Sequence, residues 1–313
     1  SDLLYQIVQE LNRQKQRQNS AVSVVPILGS VTDKVLIEKI FNNYKPFVVY
    51  HTAAYKHVHL VQSNQFEGIK NNTFGTLNIA RAVIKHQIKK LVLVSTDKAV
   101  RPTNVMGASK RLAEMVLQSL FANQNKTQVS IVRFGNVLGS SGSVVPHFRS
   151  QIRAGGPITV THKDVTRYFM TASEAVQLVI QAGAMVSDNT LEKFAVPVYF
   201  LDMGEPVKIF DLACRMLDLY GFTVHDADVK DGDVEIKIIG LSPGEKLHEE
   251  LLIGDVVAST THPKISVGNE VFPHWGKLEL KLVALEEAIS HSDVEKFDKL
   301  LDELVFFSSF MET

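Results

Sequence analysis

Four consecutive apolar residues, Leu91-Val92-Leu93-Val94, run directly into Ser95-Thr96-Asp97-Lys98. Two hydroxyls, a carboxylate and an amine therefore stand together where a buried strand ends. Groups of these types can hold, donate and accept protons, the material of general acid–base catalysis. Taken alone, the run also suits a strand terminus followed by a helix cap and solvated charges. The next segment tips the balance. Met106 and Lys110 are four residues apart and share one helical face, which brings a second amine beside the same strand end.

The elements that must position these groups follow a regular alternation. Short apolar runs at 47–50, 91–94 and 129–134 alternate with helical patterns at 35–41, 71–86 and 105–121. A further helical stripe covers 2–18, and the β-branched run 22–28 reads as another strand. This alternation predicts an α/β fold, a doubly wound parallel Rossmann-type sheet. Ligands of such sheets bind beyond the carboxyl ends of the strands, near the topological switch point. That rule selects 51–56, 95–98 and 135–143. Beyond 135 the pattern loosens into loops at 139–143 and 155–157, a helix over 171–184 and a strand over 198–201. A helix over 209–219, a strand over 234–239, a helix opening at 242–246 and a helical stretch over 278–307 complete it. The expected division is a dinucleotide-binding domain over 1–138 and a smaller mixed α/β, mainly substrate-binding domain over 139–313, with 198–220 returning to the sheet. No first strand and glycine-rich turn, of the kind that sets pyrophosphate on a helix N-terminus, precedes these elements. The dinucleotide unit is therefore read as N-terminally incomplete, and weak or absent cofactor binding is expected of this chain.

Bulk properties remove several function classes. The 313 residues carry 33 basic and 34 acidic side chains, a net charge of −1, so no nucleic-acid partner is expected. The lone cysteine, Cys214, excludes an internal disulfide, fits a reducing compartment and reads as a core thiol within a helical apolar pattern. No apolar stretch approaches the ~20 residues that span a bilayer, and no secretory signal is present. No group of metal-ligating residues stands out, so no metal is expected.

The stretch Ser95-Thr96-Asp97-Lys98-Ala99-Val100-Arg101-Pro102-Thr103-Asn104-Val105-Met106-Gly107-Ala108-Ser109-Lys110-Arg111 resembles the extended short-chain dehydrogenase/reductases. In that family Tyr-x-x-x-Lys occupies this helix. Lys110 matches the lysine, whereas Met106 stands in the tyrosine position. The same replacement marks one subfamily, the large bacterial nucleotide-sugar 4,6-dehydratases of capsule, O-antigen and protein-glycan synthesis. Further similar segments cover most of the chain: 51–58, Asn72 with Gly75-Thr76, 133–140, 167–170 and 243–247. One departure is Ser242, where an arginine is common, so one diphosphate contact is not expected.

The resemblance implies a UDP-N-acetylglucosamine 4,6-dehydratase, a lyase using NAD, with NADP left open. Cofactor contacts are then expected from Asp33, Thr52, Ala53, Ala54, Tyr55, Asn72, Ser95, Lys110 and Phe134. Substrate contacts are expected from Lys56, His57, Asn136, Ser140, Arg167 and Glu245. The catalytic set comprises Thr96, Asp97, Lys98, Met106 and Lys110. Asp97 would act, protonated, as the acid that expels the C6 hydroxyl, and Lys98, neutral, as the C5 base. Thr96 would hydrogen-bond the C4 oxygen, and a cationic Lys110 would bind the nicotinamide ribose. Methionine cannot accept the C4 hydroxyl proton, so Thr96 relayed to Lys110, or a water, remains to take it. The resemblance also implies a homo-oligomer and cytoplasmic catalysis, with membrane attachment only through an N-terminal anchor outside this chain. Two other readings stand beside it: a 4-epimerase of the same fold, and a catalytically silent nucleotide-binding module.

Overall fold

The computed structural model describes residues 2–124, 126–185, 196–225, 232–250, 257–268 and 270–306. After α1 (Asp2–Arg17) and α2 (Lys34–Tyr44), the chain enters the sheet through β1 (Val48–His51). A π-helical turn, Lys70–Phe74, runs into α3 (Gly75–Lys85), which leads to β2 (Lys90–Val94), α4 (Val105–Phe121) and β3 (Gln128–Arg133). These strands pair in parallel, β1 with β2 and β2 with β3. The small lobe opens with α5 (Val144–Arg153) and β4 (Ile158–Val160). The chain returns to the sheet through α6 (Ala172–Ala184) and β5 (Val198–Leu201), the latter parallel to β3.

The sheet is doubly wound. Ile79, Val83, Leu117 and Phe121 pack on one face against Leu91, Leu93 and Ile131, while Leu178, Val179 and Ala182 of α6 cover Val92 and Val132 on the other. Near-continuous burial of β2 and β3 follows from this two-sided cover.

The second half is interleaved between the two bodies. The helix α7 (Ile209–Leu219) buries Ala213, Met216 and Leu217 against α5 and β4. Of the stretch 198–220, the strand therefore joins the large sheet while the helix belongs to the small lobe. There β6 (Val224–His225) and β7 (Val234–Ile238) pair in parallel with each other, and β7 with β4. Then β8 (Val257–Ser259) and β9 (Ile265–Gly268) extend the large sheet as an antiparallel edge. The helices α8 (Trp275–Ser290) and α9 (Val294–Leu301) pack beside α4 in a second core around Met106, Leu112, Leu285 and Phe297. Much of 139–313 thus supports the large body rather than the substrate lobe.

Three expected elements differ. Residues 22–28 form no strand: Pro26 lacks a ladder donor, no strand pairs with the run, and Val22, Val25 and Leu28 stay exposed. Residues 242–246 form turns rather than the start of a helix. Gly244 has φ +75°, and its carbonyl accepts bonds from Thr103 Oγ1 (2.7 Å) and Asn104 Nδ2 (3.1 Å). The stretch 278–307 is broken at Ser292, where φ is +55°, and Phe307 lies outside the described residues. The stripe on α1 forms its helix, but none of its residues is buried.

Candidate active site

At the carboxyl end of β2 the chain leaves the sheet and makes a single 3₁₀ turn, Asp97–Ala99, capped by the Thr96 hydroxyl. Asn104 then caps α4 by accepting from the Gly107 N–H at 2.9 Å. The two turns lie against each other. A Cβ on Gly107 would stand 2.2 Å from the Lys98 carbonyl oxygen, so only glycine lets α4 begin here. Gly135, after β3, is similarly close: a Cβ would lie 3.2 Å from Asp97 Oδ2. Backbone crowding from two sides thus fixes Asp97 and Lys98.

The charged groups form a compact array. Asp97 is fully buried, and its Oδ1 accepts from Thr96 Oγ1 at 2.8 Å and from Lys98 Nζ at 3.0 Å. Lys98 Nζ also reaches Asn136 Oδ1 at 3.4 Å and lies 3.7 Å from Glu249 Oε1. Arg167 bonds Glu245 at 3.1 Å, and its Nε is 3.9 Å from Glu249. Burial is the main cause that pushes the Glu249 carboxyl above the usual range. The Asp97 charge adds to it, while Lys98, Arg167 and Lys246 oppose it. Among the described residues, Asp97 Oδ2 and Glu249 Oε2 are buried without a hydrogen-bond partner. Oxygens left in that condition are costly to bury unless a ligand or proton meets them.

Lys110 lies beneath this array, with its ammonium donating to the Val94 carbonyl at 2.8 Å. Burial pushes its amine down to about 8, with the Glu114 charge opposing. His51, at the end of β1, exchanges a hydrogen bond with Thr76 Oγ1 at 2.9 Å. Burial foremost, and the Lys110 charge second, push its ring down to about 3, so it stays neutral.

Behind the site is a buried cluster of two arginines and two glutamates. Arg133 binds both Glu114 and Glu270, and Arg111 lies 2.8 Å from Glu270 and 3.3 Å from Glu114. Ser95 Oγ donates to Glu114 at 2.5 Å, which ties the cluster to the residues that lead into the 3₁₀ turn. Burial alone would raise the Glu114 carboxyl, but Arg133, Arg111 and Ser95 together hold it below its usual value. Arg133, which opens the 133–140 segment similar to the family, is thus committed to the interior.

A cavity of about 680 Å³ opens over these groups. Of the expected residues it brings together Thr52, Ala54, Tyr55, Lys56, His57, Ser95, Thr96, Lys98, Met106, Lys110, Phe134, Asn136, Ser140, Arg167 and Glu245. Ala53 lies outside the lining, and Asp97 sits directly behind it, bonded to Thr96 and Lys98. Two residues expected to contact the cofactor make hydrogen bonds within the protein. Asp33 caps α2, accepting from the Leu36 N–H at 2.9 Å, and lies outside the lining. Asn72 uses its whole amide internally: Oδ1 accepts from the Tyr55 and Asn71 nitrogens, and Nδ2 donates to the Tyr55 carbonyl and to Ser109 Oγ. Nothing remains on it for a ligand. Sequence reasoning missed His147, Thr161 and Glu249. The first two line the cavity, and Glu249 reaches Lys98 from a neighbouring loop with no sequence signal to distinguish it from the adjacent Glu250.

A Rossmann-type sheet with ionisable groups gathered at the end of β2 and a lysine one helical turn beyond Met106 is consistent with the resemblance to the extended short-chain dehydrogenase/reductases. The sequence profile described as "Polysaccharide biosynthesis protein" matches residues 2–270, and the chain belongs to that family. It is 44% identical over 298 residues to the "Capsular polysaccharide biosynthesis protein CapD" of Staphylococcus aureus, covering 95% of this chain and 46% of that protein. The chain therefore spans about half the length of that relative. Among solved structures it is similar to Pen from Bacillus thuringiensis, with TM-score 0.71 and 30% identity over 85% of this chain and 77% of the other. The fold is also shared with the UDP-glucose 4-epimerase of Thermus thermophilus in complex with NAD. There the TM-score is 0.60 and the identity 19%, over 72% of this chain and 75% of that one. No helix among the described residues is long and apolar enough to cross a membrane.

Proposed function

We propose that this chain is the catalytic region of a nucleotide-sugar 4,6-dehydratase that converts UDP-N-acetylglucosamine to a UDP-4-keto-6-deoxy sugar for surface-polysaccharide synthesis. The observation that carries the reading is the buried Asp97, whose Oδ1 accepts from both Lys98 and Thr96. An epimerase needs no such acid and base at C5 and C6. The capsular role in the name of the Staphylococcus aureus relative agrees with the product class.

The cavity suits a nicotinamide dinucleotide: Thr52, Ala54, Tyr55, Phe134 and Lys110 would hold it, with small residues at 53 and 54 leaving room. Bound there, it would take a hydride from C4 and return it to C6. Thr96 would orient the C4 hydroxyl. Its own hydroxyl proton already points to Asp97 Oδ1 at 2.8 Å, so the C4 proton has a path through Thr96 to Asp97 that bypasses Met106. Asp97, now protonated, gives that proton to the departing C6 hydroxyl while Lys98, entering the step as the neutral amine, removes the proton from C5. The proton lost from O4 thus leaves in the water, and Lys98 returns its own to C5 as hydride arrives at C6. Arg167 and Asn136 would steer the sugar nucleotide across the cavity.

The test is mass spectrometry of UDP-N-acetylglucosamine after incubation with protein and NAD. A product lighter by one water is expected, and Lys98→Met should abolish it. An isomer of unchanged mass would establish an epimerase, and no product at all would leave a binding module.

A further inference from the structure

One carboxyl at this centre has no part in the scheme above. Glu249 comes from the loop 242–250, which is fastened to the catalytic turn by polar bonds alone. Lys246 donates to the Val100 carbonyl at 2.9 Å, and Thr103 and Asn104 hold the Gly244 carbonyl. This docking places the Glu249 side chain, 4% exposed, with Oε1 3.7 Å from the Lys98 ammonium. Two carboxyls therefore flank one ammonium, and each keeps one oxygen without a partner.

We propose that Glu249 is a positioning residue that carries a proton in the resting site and sets the charge of Lys98 by holding or losing it. The inference rests on the dehydratase reading only for its catalytic consequence.

The charge balance makes the case. The groups facing Glu249 are Lys98 and Asp97 on the 3₁₀ turn, Arg167 on the strand beside it, and Lys246 on its own loop. Arg167 is already engaged by Glu245 at 3.1 Å and by the Thr166 and Leu247 carbonyls. Lys246 is spent on Val100. Lys98 at 3.7 Å and Arg167 at 3.9 Å are the cations nearest Glu249, neither within hydrogen-bond distance, and burial favours the neutral form of the carboxyl that is less well bonded. Asp97 receives two hydrogen bonds through Oδ1. Glu249 receives none that short. The proton therefore rests on Glu249.

The consequence is directional. With Glu249 neutral, the Lys98 ammonium faces a single anion at 3.0 Å, and one negative charge holds its proton less tightly than two. As pH rises and Glu249 ionises, the second negative charge holds the proton on Lys98 and withholds the base. Elimination should therefore lose activity on the alkaline side through Glu249.

The experiment follows Lys98 acylation by acetic anhydride against pH, read by mass spectrometry, in the wild type and in Glu249→Gln. The two curves should coincide at low pH, where Glu249 is neutral. They should separate at higher pH, with the wild type lagging by about tenfold. Superposed curves at every pH would overturn the proposal, as would a separation already complete at the acid end. Circular dichroism confirms that Glu249→Gln folds, and Glu249→Ala serves as a second neutral variant that should show the same separation. Turnover of UDP-N-acetylglucosamine is measured in parallel, and its alkaline limb should move upward in Glu249→Gln. Labelling curves that separate as expected in a protein that dehydrates nothing would remove the substrate reading and leave Glu249's control of Lys98 intact.

Discussion

Lys110→Met should make the protein more stable at neutral pH and less stable above about pH 10. Burial lowers the Lys110 amine from its ordinary 10.5 to about 8. At about 1.4 kcal/mol per pKa unit, carrying the charge in the folded state costs about 3 kcal/mol below pH 8. The sign follows from proton counting. Between pH 8 and 10.5 the unfolded chain still binds the proton that the folded chain has lost, so the wild type gains stability as pH rises through that window. Methionine removes the penalty but also the 2.8 Å bond to the Val94 carbonyl, a loss of about 1–3 kcal/mol when the acceptor stays buried. The net gain at pH 7 is therefore about 0–2 kcal/mol, and it reverses once the wild-type penalty has gone. Urea unfolding of both proteins from pH 7 to 10.5, without cofactor, reads this directly. A variant less stable than the wild type at pH 7, or a difference that does not change with pH, would refute the reasoning. Confirmation would mean that a residue expected to bind the ribose is maintained against the stability of the fold.

Arg133→Met leaves Glu114 and Glu270 buried with Arg111 alone, and should cost about 3–5 kcal/mol in urea unfolding; a loss below 1 kcal/mol would show that the cluster relaxes freely. Gly107→Ala drives a methyl group to 2.2 Å from the Lys98 carbonyl, so the 3₁₀ turn must shift. Turnover should fall at least about tenfold, since misplacing catalytic groups by 1 Å can cost ~100-fold, while far-ultraviolet circular dichroism stays unchanged. Unaltered kcat would mean that the turn tolerates the shift.

The sheet and its helices are legible because local and global preferences agree. Residues 105–121 carry an Asn104 cap and a continuous apolar face, and the helix occupies that span. Residues 22–28 mislead because β-branched composition signals a strand only when a neighbour supplies the ladder. The Pro243-Gly244 segment misleads in the opposite way. Its turn is set by a positive φ at Gly244 and by bonds to Thr103 and Asn104, partners about 140 positions away in the chain. At the site, the 95–98 run and Lys110 are visible because strand end and helix face are both local patterns. Glu249 is invisible because its burial depends on where a loop of the other lobe comes to rest. Asn72 and Asp33 are legible as polar residues at suitable places; the structure adds that the Asn72 amide is fully bonded within the protein, while Asp33 caps α2 through Oδ1.

The Asn72 amide has a mechanical consequence. It accepts from the Tyr55 N–H at 2.7 Å and donates to the Tyr55 carbonyl at 2.9 Å, the pair of bonds that a neighbouring strand would make. A side chain on a helical turn thus imitates a peptide group and zips the segment 52–57 to the scaffold. That wall of the cavity is a stiff rail with no regular secondary structure of its own. Fitting a wider sugar would require moving the turn 70–74 and the helix behind it, not simply bending a loop.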